Sequence, residues 1–181
     1  MAQIVYDVAP GAAMAFATAF HGELAFANSI RRLAAPVASG GGGARAIVDD
    51  VVYFGEPFFQ EGPVAVAANE VAANGVAYFS AAGNNNVIVG GNDVGSWEAP
   101  EFRDSGACPA ELEALLGAKA EHCVDFDPSA TETDDAFGIT VAKGATLTID
   151  LQWAEPWFGV ETDLDAYLLD ADGKPLTVTM R

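Results

Sequence analysis

Basic residues are scarce: eight Lys and Arg stand against 26 Asp and Glu, a formal charge of -18 over 181 residues. Such a surface repels polyphosphate and anionic lipid, so nucleic acid and membrane surfaces are excluded as partners. Uncharged apolar runs are short as well. The richest, Gly11 to Phe20, is cut off by His21 and Glu23, well below the roughly 18 residues of a spanning helix. No Lys or Arg precedes a hydrophobic segment near Met1, so the first residues do not read as a secretory signal. Only two cysteines and two histidines occur. Cys108 and Cys123 are spaced either to close a disulfide loop or to remain two free thiols. His122 beside Cys123 cannot by itself assemble tetrahedral metal ligation.

What is abundant is apolar side chain, 51% of the chain, enough for a real core. Charge is unevenly spread, seven acids lying in residues 1–90 and nineteen in 91–181. That contrast predicts two units, 1–94 and 132–181, joined by a connector over 95–131.

The first unit alternates strand and helix patterns. Met14, Phe16, Thr18 and Phe20 fall on one face of an extended segment, predicting a buried strand over 13–20. A helix is expected over 23–35, with Leu24, Ala27, Ile30 and Ala34 as its stripe, Arg31 and Arg32 near its end, and Pro36 as the stop. A flexible tetraglycine, Gly40–Gly43, leads to a β-branched and aromatic strand over 46–54. Gly62-Pro63 opens a second helix with stripe Val64, Ala67, Ala68 and Val71, closed by Asn74-Gly75. Residues 76–80 form the next strand. This order implies crossovers and a parallel sheet, whose ligands gather beyond the strands' carboxyl ends. The functional position is therefore just after Ser80, where small, polar, turn-forming residues follow, Ala81-Ala-Gly-Asn-Asn-Asn86 and then Gly90-Gly-Asn-Asp93.

From 95 periodicity is poor apart from a short helix candidate over 109–119. Then the period becomes two: 137–141, 145–153 and 164–169 alternate, and Asp172-Gly173 is a turn. The expectation is antiparallel β structure of about four strands, too few to close a sandwich comfortably. Trp153, Trp157, Phe158 and Tyr167 read as core aromatics of these strands, the alternative being a ligand platform. Glu161, Asp163, Asp165, Asp170 and Asp172 offer the hard oxygens that Ca²⁺ takes, though not at EF-hand spacing, with a solvated acidic rim as the alternative.

Val8-Ala-Pro-Gly-Ala12, followed in order by Gly75-Val76 and Ser80-Ala-Ala-Gly-Asn84, resembles the subtilisin-like serine peptidases. In that family a Val-Ala-Pro-x-Ala element follows the helix bearing the catalytic histidine, and Met1-Ala-Gln-Ile-Val looks like part of that helix. The asparagine ending the Ala-Gly-Asn turn donates its side-chain amide to the oxyanion, a role the resemblance gives to Asn84. Phe137, Gly144, Leu147, Leu151 to Trp153 and Asp163-Leu-Asp-Ala-Tyr-Leu-Leu-Asp170 look like a pre-peptidase C-terminal β-sandwich, which some subtilases carry between the oxyanion asparagine and the catalytic serine. The fold class implied is α/β, a partial subtilisin-like parallel sheet with helices followed by an incomplete antiparallel β-sandwich.

The resemblance also implies a secreted endopeptidase acting on polypeptide, with Val51, Val52, Tyr53, Phe54 and Gly55 lining the substrate cleft. No cofactor is required; calcium is the one candidate. A His-Gly-Thr and a Gly-Thr-Ser context are missing from the 181 residues, and serine is a poor nucleophile without a positioned imidazole. His21 falls where the family has no catalytic group. The chain is thus expected to be a middle slice of such an enzyme, inactive alone. The alternative is a noncatalytic extracellular module whose acidic β-sandwich binds calcium, protein or polysaccharide. Asp49 and Asp50 depart from the family's usual polar-small pattern; being adjacent in a strand, they point to opposite faces, one solvated and one hydrogen-bonded.

Overall fold

The computed structural model describes residues 2–117, 122–129 and 131–176. Within them the fold is mixed α/β, with four helices, a two-stranded parallel sheet and a two-residue antiparallel pair. Two compact units are formed, Met1–Asn84 with Gln152–Glu161, and Asn85–Leu151 with Thr162–Arg181.

In the first unit, α1 (Ala2–Val8) buries no residue. Helix α2 (Glu23–Ala34) starts after Gly22 and carries Glu23 in its first turn and Arg31 and Arg32 in its last, the order that complements the helix dipole. Its buried side chains are Phe26, Ala27 and Ile30, whereas Leu24 is exposed. The core stripe is thus rotated from the predicted one, because Phe26 has more apolar area to bury than Leu24. The four glycines after α2 are built into the fold instead of forming a flexible link. Gly42, Gly43 and Ala44 N–H groups donate to Arg32, Ala35 and Leu33 carbonyls, meeting acceptors that a helix end leaves without partners. A Cβ on Gly41 would lie 2.1 Å from the Ala35 oxygen, so only glycine permits this return.

Strand β1 (Ala46–Asp49), helix α3 (Pro63–Ala73) and strand β2 (Ala77–Ser80) make the expected parallel crossover, with Ala46 opposite Ala77 and Asp49 opposite Ser80. Pro63 occupies the first turn of α3, where its missing N–H costs nothing. β1 is shorter than the predicted 46–54, since its ladder ends where β2 turns away after Ser80. Ala67 and Val71 of α3 pack with Phe26, Ala27, Ile30 and Ile47, and Tyr53 and Tyr78 border this cluster. The sheet's other face is open: Val48 is 52% and Phe79 61% exposed.

The predicted strand over 13–20 is not formed, and Phe16 and Phe20 are 89% and 95% exposed. Alternation chooses a face, but a strand also needs a ladder partner. This segment is held by side chains instead, the Tyr53 hydroxyl donating to the Ala19 carbonyl and Ser29 to that of Thr18 at 3.4 Å.

In the second unit, β3 (Ile88–Val89) and β4 (Asn92–Asp93) pair antiparallel, and α4 (Ala110–Leu116) realises the predicted short helix, whose expected last residues, 118–119, lie outside those described. A disulfide joins Cys108 to Cys123, with Cα atoms 5.2 Å apart, settling the choice the spacing left open. Among the described residues, no antiparallel β-sandwich is formed. Residues 137–141 and 145–153 contain no paired strand, and an isolated Leu169–Pro175 bridge stands in place of a ladder over 164–169. Phe137, Ile139, Val141, Leu147, Ile149 and Leu151 alternate as predicted yet remain exposed, for the same reason as 13–20: the pattern specifies a face and names no partner.

Candidate functional site

Both candidate segments leave the carboxyl ends of the parallel pair. β2 runs from Ser80 into Ala81-Ala-Gly-Asn84, with Gly83 at φ +86°, a backbone that side-chain-bearing residues rarely adopt. Asn84 is exposed, so its amide is open to a ligand. β1 runs from Asp49 into 51–55, where Val51 and Tyr53 are half-buried against the core and Val52, Phe54 and Gly55 are exposed. The alternation anchors this stretch through two side chains and leaves three outward. Tyr53 stacks obliquely on Phe26, ring centroids 5.7 Å apart. Its phenol is pushed above the ordinary value, first by burial and then by Glu23 and Asp49.

Asp49 lies between the two exits. Oδ2 accepts from the Tyr78 hydroxyl at 2.5 Å, and Oδ1 from the Ser80 hydroxyl at 2.8 Å and the Val51 N–H at 3.4 Å. Its carbonyl accepts from the Ala81 N–H at 3.3 Å. Burial, and next the Asp49 carboxylate, push the Tyr78 phenol well above its usual range. Asp50 is exposed, so the pair divides into one hydrogen-bonded and one solvated carboxylate.

Two further residues shape the loop after Gly55 without having been legible in the sequence. Gln152 Nε2 donates to the carbonyls of Phe54 at 3.2 Å and Glu56 at 3.3 Å, and its Oε1 accepts from the Phe58 N–H at 2.9 Å. Glu56 Oε1 accepts from the Val64 and Ala65 N–H groups at the start of α3, a carboxylate where the helix dipole favours one. Glu56 lies eight residues before Val64, and Gln152 more than ninety after the loop, distances over which no local pattern operates.

The remaining candidates are dispersed. His21 is exposed just before α2. Trp157 and Phe158 are exposed in the first unit and are not core aromatics of a strand; with Leu24, Pro57, Pro63 and Val66 they line an open apolar groove of about 330 Å³. Trp153 donates to Glu155 at 3.0 Å. Asp170 Oδ1 accepts from the Asp172 and Lys174 N–H groups at 3.0 and 2.9 Å, closing the turn before Pro175. Asp165 accepts from the Tyr167 hydroxyl at 3.4 Å, and Tyr167 is raised chiefly by burial, then by Asp165 and Asp163. Among the described residues, no three His, Cys, Asp or Glu side chains gather as a group that could hold a metal ion. No helix among them is long and apolar enough to cross a membrane.

Comparison with protein-family models, with curated proteins and with solved structures returns no match.

Proposed function

We propose that the chain is part of a secreted subtilisin-like serine endopeptidase, contributing the oxyanion donor Asn84 and a substrate wall, Val51–Gly55, but neither nucleophile nor base. The observation that carries this reading is the juxtaposed exit of two parallel strands, one leading into Ala-Gly-Asn84 and the other into 51–55. In such chemistry a serine attacks the peptide carbonyl, and the resulting oxyanion is stabilised by donors held ready for it. Asn84, exposed after a left-handed glycine, supplies a side-chain amide for that purpose. The outward side chains of Val52 and Phe54, with Gly55 beside them, supply the surface along which an extended peptide would lie. The chemistry calls for no cofactor. The serine, histidine and aspartate would come from sequence outside the 181 residues.

A fluorophosphonate probe tests the division of labour. The 181-residue chain should take no covalent label; labelling would overturn the claim that it holds no activated serine. Expressed together with the sequence encoded on either side in the same frame, the protein should label and cleave an unstructured polypeptide. In that protein Asn84→Ala should lower kcat by about 10²–10³, the loss known from a subtilisin, the family resembled, when this kind of donor is removed. An unchanged kcat would end the oxyanion assignment and leave the binding-module alternative to be tested.

A further inference from the structure

We infer that Asp49 is a positioning residue that locks the two strand exits, and with them Val51–Gly55 and the Ala81–Asn84 turn, into one fixed spacing. The inference rests on the peptidase reading for its functional meaning, but its geometry does not. Asp49 is the last residue of β1 and faces Ser80, the last residue of β2. The main-chain bond from the Ala81 N–H to the Asp49 carbonyl is the ladder's last rung, and beyond it regular pairing no longer sets the distance between the two chains. At that point one residue accepts four hydrogen bonds. Two come from β2 side chains, Tyr78 and Ser80, one from the Ala81 N–H and one from the Val51 N–H.

Each bond acts on a different part of the junction. The Val51 contact turns β1 outward immediately after Asp49, which frees 51–55 from the ladder. The Ser80 and Ala81 contacts hold the start of the turn that ends at Asn84, three residues on. Tyr78 shares its sheet face with Ser80 and lies at the edge of the core cluster, so its bond braces the carboxylate against the buried side of the sheet. An ionised carboxylate has acceptor sites for all three of its donors, and bonds to a charged acceptor are stronger than neutral ones. A hydrophobic or amide side chain could not replace it fully. Positioning of this kind matters because an oxyanion donor contributes only if it is preorganised where charge develops.

The test is amide hydrogen exchange, residue by residue, on the full 181-residue chain. In Asp49→Asn, the amides of Val51 and Ala81 should exchange about tenfold faster, while Ile30, Ala67 and Val71 in the helices keep their rates. Ser80→Ala should accelerate Ala81 and leave Val51 unchanged, and Ser80→Thr, which keeps the hydroxyl, should restore Ala81; that rescue would not follow from loss of bulk alone. Unchanged rates at both Val51 and Ala81 in Asp49→Asn would overturn the inference. So would a uniform acceleration that includes the helices, since Asp49 would then only stabilise the unit as a whole. If Asp49→Asn does not fold, the Ser80 pair decides alone: no acceleration in Ser80→Ala, or none reversed by Ser80→Thr, rejects it. These readouts do not depend on Asn84 being an oxyanion donor, whose own failure would show in the kcat of Asn84→Ala.

Discussion

The two units are held together by different means. The first buries Phe26, Ala27, Ile30, Ile47, Ala67 and Val71 in one apolar cluster between helices and sheet. In the second, the buried residues among those described are Cys108 and Leu112, and order comes from the disulfide and from carboxylates that accept backbone N–H groups. Asp125 Oδ1 accepts from Asp127 and Asp134, Asp127 from Ser129, and Asp134 from Ala136. Part of the acidic excess is thus spent locally, in turns that Asp side chains close by mimicking a backbone acceptor. The contrast teaches that net charge on such a chain reports local construction as well as what partners it repels.

The largest effect that would sharpen the comparison is at Ile30, which is 1% exposed at the centre of the first cluster. Ile30→Ala should lower that unit's stability by about 2–5 kcal/mol through lost burial and a residual cavity. Denaturant unfolding followed by amide exchange would read it, with Ala67 and Val71 losing protection and Ser105 and Asp125 keeping theirs. Equal loss in both units would show that they unfold as one and that the division is false.

Reduction of the disulfide probes the other side. The cysteines are 15 residues apart in sequence, and a loop of that size gives about 3 kcal/mol of constraint on the unfolded chain. The first unit contains neither cysteine. A reductant, or paired Cys108→Ser and Cys123→Ser substitutions, should therefore open 103–125 to limited proteolysis while Ile30 and Val71 stay protected. Unaltered cleavage would mean that the hydrogen bonds Ser105 to Cys123 and Asp125 to Arg103 suffice without the covalent link.

How much of this was legible in the sequence follows the same division. Where a 3.6-residue stripe, a first-turn proline and a closing Asn-Gly agreed, as in α3, local signals and tertiary packing coincide, and the parallel crossover could be read directly. That crossover pointed to the turn just after Ser80, and the choice of Asn84 within it came from the subtilisin-like resemblance. The extended segments 13–20 and 137–153 misled because alternation is a statement about faces, and a ladder depends on a partner from any distance along a chain. Asp49 was visible as an oddity, an acidic pair in an apolar strand. Of its four partners, Val51 lies two residues beyond it and Tyr78, Ser80 and Ala81 about thirty away across the sheet, so only folding reveals them. Gln152 left no signal, since a lone glutamine in an alternating stretch looks like any solvated side chain.

The smallest expected effect concerns charge in the second unit, at the clasp beside the disulfide. Asp104 accepts from the Gly106 N–H at 2.9 Å and meets His122 Nδ1 at 2.6 Å. The Gly106 bond first, and His122 second, hold its carboxyl below the ordinary range. A depressed folded value means that ionised Asp104 stabilises the clasp above the ordinary carboxylate pKa of about 3.9. That contribution is lost as pH falls from there through the folded value. Because the pair is solvent-exposed, the effect is local and small. The Gly106 amide shift should titrate with a midpoint below the ordinary value, and His122→Gln should move it only part of the way back, since the backbone bond is the larger cause. A midpoint at or above the ordinary value would show that Asp104 is not engaged in solution. The second unit would then be ordered by its covalent link with no help from this carboxylate, which widens its difference from the apolar first unit.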